Sequence, residues 1–349
     1  MRKIRKYIAT SLLLAATSIL AIGCASGAPL TSGPHDKVAL SAWVTYWDAP
    51  NGLKEYKSID DKLVGLSAFE VYYDANGHHV VPKELESIIA TSNKHKNSEA
   101  TTYLTFVNDV IDKDVTKTKD TALLSTIFKN GASMDAEIAS MIALAQKMKC
   151  GGIELDYENV WRDDAVAKSF LDFTYRLSTA AIKNHLKLRI VLEPSARFDA
   201  GFAKGPEYVV MLYNLKGTHS GPGPKADGPF IEKTIAKMAA LPDGKKSVAL
   251  SLGGCVWEDY GLFGLQKGRA KYITQKEAVA LRDAMSTKEE RDPESAVLHF
   301  TGKYDGKDIE CWYADDETIR AWITAASRAG ITNISLWRLG GNIDIDKIK

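Results

Sequence analysis

Short runs of β-branched and aromatic residues recur along the chain, and helical or loop stretches separate them. The runs are Val38–Tyr46, Leu63–Tyr72, Ala100–Val107, Gly152–Tyr157, Leu186–Leu192, Tyr208–Tyr213, Ser247–Leu252 and Asn333–Trp337. Stretches with the apolar spacing of amphipathic helices lie between several of them, at Met134–Met148, Ala165–Lys183 and Ile231–Ala240. Such an alternation is typical of a parallel sheet whose strands are joined by crossover helices.

Eight strands of this kind predict an α/β fold, a (β/α)8 TIM barrel over residues 37–349. The length of 349 residues suits one barrel, although a doubly wound open sheet is the alternative that the same alternation allows. Residues 260–313 are too many for a simple crossover. We therefore expect a small insertion there, between strands seven and eight, with a hairpin formed by Val297–Tyr304 and Asp308–Tyr313.

The charge balance limits the partners of the chain. Lys and Arg total 45 and Asp and Glu total 44, which gives a formal net charge of +1. A nucleic-acid-binding protein usually carries a basic excess, so we expect no nucleic-acid partner. Beyond the N-terminal region, no segment has the run of about 18 apolar residues that a membrane span needs. We expect the chain to be a monomer.

The N-terminus has the pattern of a secretory signal. Basic residues stand in Met1–Lys6, an apolar stretch follows over Ile8–Ile22, and Gly23 and Cys24 come next. Threonines and serines interrupt the apolar stretch, which argues against a transmembrane anchor. The segment Leu20–Cys24 resembles a bacterial lipobox, in which the cysteine is lipidated and becomes the first residue of the mature protein. Plain secretion is the alternative.

The lipobox resemblance implies a division of the N-terminal region. Residues 1–23 would be a signal peptide, and residues 24–36, rich in Ser, Gly and Pro, would be a flexible tether. A lipid on Cys24 would hold the protein on a membrane outside the cytoplasm, in a bacterial cell envelope. Of the other cysteines, Cys150 is predicted to be a small apolar core residue, whereas a disulfide between Cys255 and Cys311 stays open.

Three acidic residues stand at alternate positions at the strand predicted over Gly152–Tyr157. Glu154, Asp156 and Glu158 have the two-residue spacing that puts side chains on one face of a strand. An exposed edge strand would also have an acidic face, but the helices predicted on both sides indicate a central strand. Crowded carboxyl groups raise one another's pKa, so that one can stay protonated as a general acid. Glu158 falls at the carboxyl end of the strand, where barrels carry their active sites.

This segment resembles the signature of glycoside hydrolase family 18, the chitinase-like family, which reads Asp-Gly-x-Asp-x-Asp-x-Glu on strand four. Gly152, Asp156 and Glu158 match the signature. Gly151 and Glu154 stand where the signature has its first and second aspartates.

Two further segments extend the resemblance. Met211–Asn214 is similar to the family's Met-x-Tyr-Asp on strand six, with Asn214 in place of the aspartate, and Trp337 ends strand eight, as the family's tryptophan does. The spore-germination, cortex-lytic branch of the family is the most similar, over Tyr157–Val160, His219–Lys233 and Trp312–Gly340. The resemblance covers about Val38 to Asp344 and implies a TIM barrel that hydrolyses polymers of β-linked N-acetylglucosamine (GlcNAc).

The family's mechanism implies a role for each matched residue. Glu158 would protonate the glycosidic oxygen, and Asp156 would orient the substrate's own 2-acetamido group, which attacks the anomeric carbon. Tyr213 would donate to the acetamido oxygen, and Trp337 would stack against the sugar. The expected substrate-binding residues are Tyr213, Asn214, Trp337, Glu154, Met211 and Trp47. No cluster of Cys and His has the spacing of a zinc site, so we expect no metal, and we expect no cofactor.

The departures from the family pattern leave two hypotheses open. Gly151, Glu154 and Asn214 would suit a glycan-binding lipoprotein with a degenerate hydrolase barrel, whereas Glu158 favours a retaining glycosidase. Glu70 and Glu193 either compensate for these departures or are structural acids. The aromatic residues Trp43, Tyr46, Trp161 and Trp257 either line a glycan groove or pack under loops. The sequence also leaves open whether the glycan is chitin or peptidoglycan, and whether cleavage is endo or exo.

Overall fold

The structure is a computed structural model that describes residues 38–94, 97, 99–113, 115–259 and 268–348. The predicted signal peptide, the tether and Cys24 lie outside the described residues. Eight strands form where the sequence predicts them. They are β1 (Ala39–Thr45), β2 (Leu63–Tyr73), β3 (Thr101–Asp112), β4 (Gly152–Asp156), β5 (Lys187–Leu192), β6 (Glu207–Met211), β7 (Lys246–Ser251) and β8 (Asn333–Trp337).

The eight strands close into a barrel. Each strand pairs in parallel with the next one along the chain, from β1 to β8. Strand β8 then pairs in parallel with β1, with Ala39 opposite Asn333 and Ala42 opposite Leu336. This last pairing excludes an open sheet, so the predicted TIM barrel is confirmed. The carboxyl ends of all eight strands meet at one mouth.

Helices surround the barrel, and one connection between strands lacks a helix. They are α1 (Ala49–Ile59), α2 (Glu84–Ser92), α3 (Thr121–Ile127), α4 (Gly131–Lys147), α5 (Asp164–Lys183), α6 (Gly228–Lys237), α7 (Gln275–Met285) and α8 (Asp316–Arg328). Helices α3 and α4 share the β3–β4 connection, whereas the connection from β5 to β6, residues 193–206, is a loop without a helix. Among the described helices, none is long and apolar enough to cross a bilayer.

An antiparallel sheet is inserted between β7 and β8. Its five strands are Gly253–Glu258, Arg269–Ile273, Glu290–Arg291, Leu298–Tyr304 and Lys307–Ala314, and α7 packs beside them. The expected hairpin is present as the last two strands. The insertion starts at Gly253 rather than near residue 260, because the chain turns out of β7 at this glycine, whose φ is +71°. At Gly254 a Cβ atom would lie 1.9 Å from the Trp312 carbonyl oxygen, so the first strand needs a glycine there.

The three described cysteines are buried and unpaired. Cys255 lies opposite Trp312 and Cys311 lies opposite Val256 in neighbouring strands of the inserted sheet. Successive side chains of a strand point to opposite faces, so the two thiols face away from each other. The disulfide that the sequence left open therefore does not form in this structure, and Cys150 is a core residue as predicted.

Apolar side chains form one core outside the barrel and another inside it. The outer core lies between the strands and the helices, and it includes Ile153 and Leu155 of β4 together with Phe170 and Phe173 of α5. The inner core fills the lumen near the mouth. Its buried members are Trp43, Phe69, Val107, Val191, Val209, Met211 and Ala249.

Beneath the inner core, the lumen holds a buried cluster of charges. Arg189 on β5 is 1% exposed, and its Nη1 lies 3.2 Å from Oε2 of Glu154 on β4. Its Nε lies 3.7 Å from Oε1 of Glu207 on β6, and its guanidinium stacks 5.4 Å from the Trp43 ring and 5.2 Å from the Tyr103 ring. An arginine suits this place because its flat, weakly hydrated group can pair with acids and stack on aromatic rings at once.

Arg189→Met should lower the free energy of unfolding by about 3–5 kcal/mol, because it leaves Glu154 buried without its cation. Urea denaturation followed by circular dichroism would measure the loss. The double variant Arg189→Met/Glu154→Gln removes both charges and should regain part of the lost stability. If the double variant is no more stable than the single one, charge pairing does not explain the contribution of Arg189 to the free energy of unfolding.

Candidate active site

Strand β4 carries the three acids toward the mouth of the barrel. Ile153 and Leu155 are fully buried on the outer side of the strand, so Glu154 and Asp156 face the lumen. The strand ends at Asp156, and Glu158 lies two residues further on, in the loop at the mouth. The alternation in the sequence thus becomes a column of acids, with Glu154 at the bottom.

Glu154 lies below the cavity rather than on its wall. Its Oε1 accepts hydrogen bonds from Nε1 of Trp43 at 2.5 Å and from Oγ1 of Thr105 at 2.8 Å. Its Oε2 accepts from Oγ of Ser67 at 3.0 Å and pairs with Arg189. Glu154 was expected among the substrate-binding residues, but its side chain is fully buried and all its hydrogen-bonding positions face other residues. The glutamate carboxyl group thus reaches partners on other strands, and no hydrogen bond joins it to Asp156.

Asp156 has a free acceptor at the floor of the cavity. Its carboxyl group is buried, and among the described residues Oδ1 has no hydrogen-bond partner. Burial raises the pKa of Asp156 well above its usual range, and the neighbouring carboxylates of Glu158 and Glu154 raise it further. An unpaired buried acceptor is costly, so a ligand that brings an N–H group to this oxygen would relieve the cost.

Glu158 is held by two neighbours at the mouth. Nζ of Lys119 lies 2.6 Å from Oε2 of Glu158, and the backbone N–H of Glu158 donates to Oδ1 of Asn108 at 2.9 Å. Burial raises the pKa of Glu158, while the ammonium of Lys119 opposes that rise and the carboxylates of Glu193 and Asp109 add to it. The balance leaves the pKa raised, which favours a carboxyl group that can hold a proton.

Two more acids lie next to Asp156 and Glu158. Glu70 on β2 is buried, and burial together with Asp109 and Glu158 raises its pKa to about 8. Glu193, after β5, accepts the backbone N–H of Asn159 at 3.0 Å through Oε2. Glu193 therefore raises the pKa of Glu158 and holds the loop beside it, whereas Glu70 raises the pKa of Asp156.

Aromatic and apolar side chains form the rest of the cavity wall. Trp337 packs edge-on against Phe69, with ring centroids 4.7 Å apart, and Tyr213 lines the cavity beside it. Burial raises the pKa of Tyr213 well above its usual range, so its hydroxyl remains a donor at neutral pH. Met211 and Asn214 also line the cavity, and Trp47, half exposed, stands at its rim.

The other aromatic residues that the sequence offered lie elsewhere. Trp43 is buried under the cavity, where it binds Glu154. Trp161 packs against Phe170 and Phe202, and Trp257 is buried in the inserted sheet, with its Nε1 donating to a backbone carbonyl. These three tryptophans therefore pack against other parts of the protein and do not line the cavity.

The structure also brings to the cavity residues that the sequence analysis did not single out. Lys119 follows β3, Lys225 follows β6, Tyr272 belongs to the inserted sheet, and Arg338 follows β8. Arg338 is paired with Asp48, at 2.7 Å. Their positions along the chain could have identified them, because the segments that follow barrel strands gather at the mouth.

Together these residues enclose a cavity of about 490 Å³ at the mouth of the barrel. It has carboxyl groups of raised pKa on one side and an aromatic wall formed by Trp337 and Tyr213. Such a site can hold a sugar ring against the aromatic wall, supply a proton from Glu158 and accept an N–H group at Asp156. This volume and lining are typical of small-ligand sites.

Comparisons with known proteins find likeness in structure and not in sequence. No protein-family model matches the chain, and no curated protein matches it. Solved structures do match over most of the chain. The spore cortex-lytic enzyme SleL of Bacillus cereus superposes with a TM-score of 0.76 at 18% identity, covering 90% of this chain and 74% of that one.

Two chitinases match almost as well. The chitinase of Chromobacterium violaceum has a TM-score of 0.71 at 17% identity, covering 89% of this chain and 96% of that one. The class V chitinase of Nicotiana tobaccum, solved in complex with NAG4, has a TM-score of 0.69 at 14% identity, covering 89% of this chain and 97% of that one. The chain thus has the barrel fold of the chitinases of glycoside hydrolase family 18 and of the spore cortex-lytic enzymes.

Proposed function

We propose that this chain hydrolyses β-linked GlcNAc polymers with retention at the anomeric carbon, through a substrate-assisted mechanism. One observation carries the proposal. Oδ1 of Asp156 is buried without a hydrogen-bond partner among the described residues, next to Glu158, in a cavity that Tyr213 and Trp337 line. The N–H of a 2-acetamido group would supply the donor that this oxygen lacks.

Proton transfer in this mechanism falls to Glu158. It protonates the glycosidic oxygen as the bond to the anomeric carbon breaks, and the substrate's acetamido oxygen closes on that carbon to give an oxazolinium ion. Glu158, now ionised, takes a proton from water as the water opens the ring. The raised pKa of Glu158 suits the first step, and the nearby ammonium of Lys119 suits the ionised form in the second.

The cavity walls would orient the reacting group. Asp156 would accept the acetamido N–H, and the positive charge that develops on the oxazolinium would favour the ionised form of Asp156, which offsets that charge. Tyr213 would donate its hydroxyl to the acetamido oxygen, and Trp337 would stack against the apolar face of the sugar. Asn214 offers hydrogen bonds but no charge, so electrostatic stabilisation would fall to Asp156.

The structural likeness supports the same substrate class. The tobacco chitinase was solved with NAG4, and the Bacillus cereus protein is called a spore cortex-lytic enzyme. Both have the fold of this chain, and the spacing of Asp156 and Glu158 follows the family signature.

A second candidate function is glycan binding without turnover. The observation in its favour is the ion pair between Lys119 and Glu158, because a carboxylate held by an ammonium at 2.6 Å resists protonation. Burial and the neighbouring acids oppose this effect. Turnover of a GlcNAc polymer decides between the two functions.

We also propose that a lipid on Cys24 anchors the barrel outside the cytoplasm. The basic N-terminal residues, the apolar stretch and the lipobox-like Leu20–Cys24 support this proposal. An anchored hydrolase would act on the glycan next to the membrane that holds it.

Glu158→Gln should lower kcat at least about 100-fold, because the amide keeps the shape but cannot donate or take up the proton. Release of reducing ends from chitohexaose and from purified peptidoglycan would measure it. Glu99→Gln, an exposed change before β3 at the other end of the barrel, is the control. Activity of Glu158→Gln within a few-fold of the wild type would contradict the mechanism, and a wild type that binds both glycans without turnover would favour the second function.

Lys119→Met should move the alkaline limb of the pH profile of kcat to higher pH. The catalytic acid must be protonated, so activity falls as the pH rises through the pKa of Glu158. Removing the ammonium removes the cause that lowers this pKa, and the limb moves upward. Lys129→Met, exposed after α3, should leave the profile unchanged. A limb that moves to lower pH in Lys119→Met would show that another group controls it.

Cys24→Ser should abolish lipidation and leave the barrel folded, because only a thiol accepts the diacylglyceryl group. Detergent phase partitioning of the two forms, expressed in a bacterium, would measure the change. The wild type should enter the detergent phase and the variant the aqueous phase. A wild-type protein that stays aqueous would exclude the anchor.

A further inference from the structure

Lys225 is a buried cation that faces the cavity. Its side chain lies in the connection between β6 and α6 and is only 8% exposed. Nζ donates to Oγ of Ser251, at the end of β7, at 2.9 Å, and lies 4.5 Å from the ring centroid of Tyr272. Lys225, Ser251 and Tyr272 all line the cavity that holds Asp156 and Glu158.

Lys225 differs from the other two described cations of the cavity wall. Lys119 pairs with Glu158 at 2.6 Å, and Arg338 pairs with Asp48 at 2.7 Å. No carboxylate in the described part of the chain pairs with Lys225. Its neighbours are a hydroxyl, an aromatic face and the buried thiol of Cys255.

The ammonium of Lys225 therefore lacks a carboxylate partner within the described part of the chain. Burial lowers the pKa of Lys225 to about 8, so the group remains mostly protonated at neutral pH. A buried charge is normally paired, because its desolvation is costly. A bound ligand that brings one carboxylate to Nζ would complete the site with a charge-assisted hydrogen bond.

We propose that Lys225 binds a carboxylate on the glycan, the free 3-O-lactyl group of an N-acetylmuramic acid residue. This inference rests on the proposed hydrolysis of GlcNAc polymers and names the substrate within that class. Chitin has no carboxylate to offer. In intact peptidoglycan the lactyl carboxyl group is joined to the stem peptide by an amide bond, so it carries no charge.

The position of Lys225 fits a sugar substituent, because Ser251 ends β7, three strands around the barrel from the acids of β4. A glycan held at its acetamido group by Asp156 would thus present another substituent to Lys225.

The proposal also gives the enzyme a place in a reaction sequence. A free lactyl carboxylate arises when an amide-hydrolysing reaction removes the stem peptide from muramic acid. We therefore expect this chain to act on strands from which such a reaction has already removed the peptides.

The test compares glycan strands that differ only in this charge. Peptidoglycan strands freed of stem peptides by an amidase are used as the free acid and as the methyl ester, alongside intact strands and chitohexaose. Wild type should cleave the acid with a kcat/KM at least about tenfold above that of the ester and of intact strands, as for a hydrogen bond to a charged group. In Lys225→Met the ratio of acid to ester should fall to about one. Lys233→Met, an exposed change on α6, should keep the wild-type ratio.

Several outcomes would overturn the proposal. A wild type that cleaves acid and ester equally excludes it, and this result needs no variant, so misfolding of Lys225→Met cannot hide it. Faster cleavage of intact strands, lost in Lys225→Met, would assign the lysine to a stem-peptide carboxylate instead. If wild type cleaves none of the glycans, the proposed hydrolysis fails, and calorimetric binding of acid against ester then decides the role of Lys225 alone. Equal binding would exclude it, and tenfold tighter binding of the acid would support it.

Discussion

The pairing of Arg189 with Glu154 inside the barrel is the interaction on which the rest of the site depends. Both groups are almost completely buried, and Trp43 both stacks on the guanidinium and donates to the carboxylate. A buried ion pair contributes little net stability, but the loss of one partner is costly. The pair therefore fixes the lower lumen in one arrangement, upon which the cavity floor is built.

This arrangement also gives the three acids at β4 different partners. Glu154 binds partners on four strands, whereas Asp156, two residues further on, has one oxygen without a hydrogen-bond partner in the described part of the chain. Glu158 in turn is set between burial, which favours its neutral form, and Lys119, which favours its ionised form. Acids that look equivalent in the sequence pattern thus acquire different environments. Acid–base chemistry requires such differences, because one carboxyl group must hold a proton at the same pH at which another is ionised.

The fold could be predicted from the sequence because strands buried on both faces form continuous apolar runs. Asp156 and Glu158 were found for a similar reason, since their two-residue spacing sets them on the lumen face. The partner of Glu154 could not be found, because Arg189 lies on another strand and no local pattern links the two. Lys225 stands in a loop rich in Gly and Pro, where periodicity carries no information about which side chains turn inward. The loop that replaces a helix between β5 and β6 was missed because each strand was expected to have a crossover helix.

The inserted sheet has a consequence for how this barrel can diverge. Its second strand supplies Tyr272 and Ile273 to the cavity, and the start of α7 supplies Thr274 and Glu277, whereas Asp156 comes from a barrel strand and Glu158 from the loop just beyond it. The acids of the proposed mechanism and this wall of the cavity are therefore encoded in separate stretches of the gene. Exchange of the segment between β7 and α8 would reshape this wall while Asp156 and Glu158 kept their places, so the shape of the cavity can change by recombination rather than by point mutation.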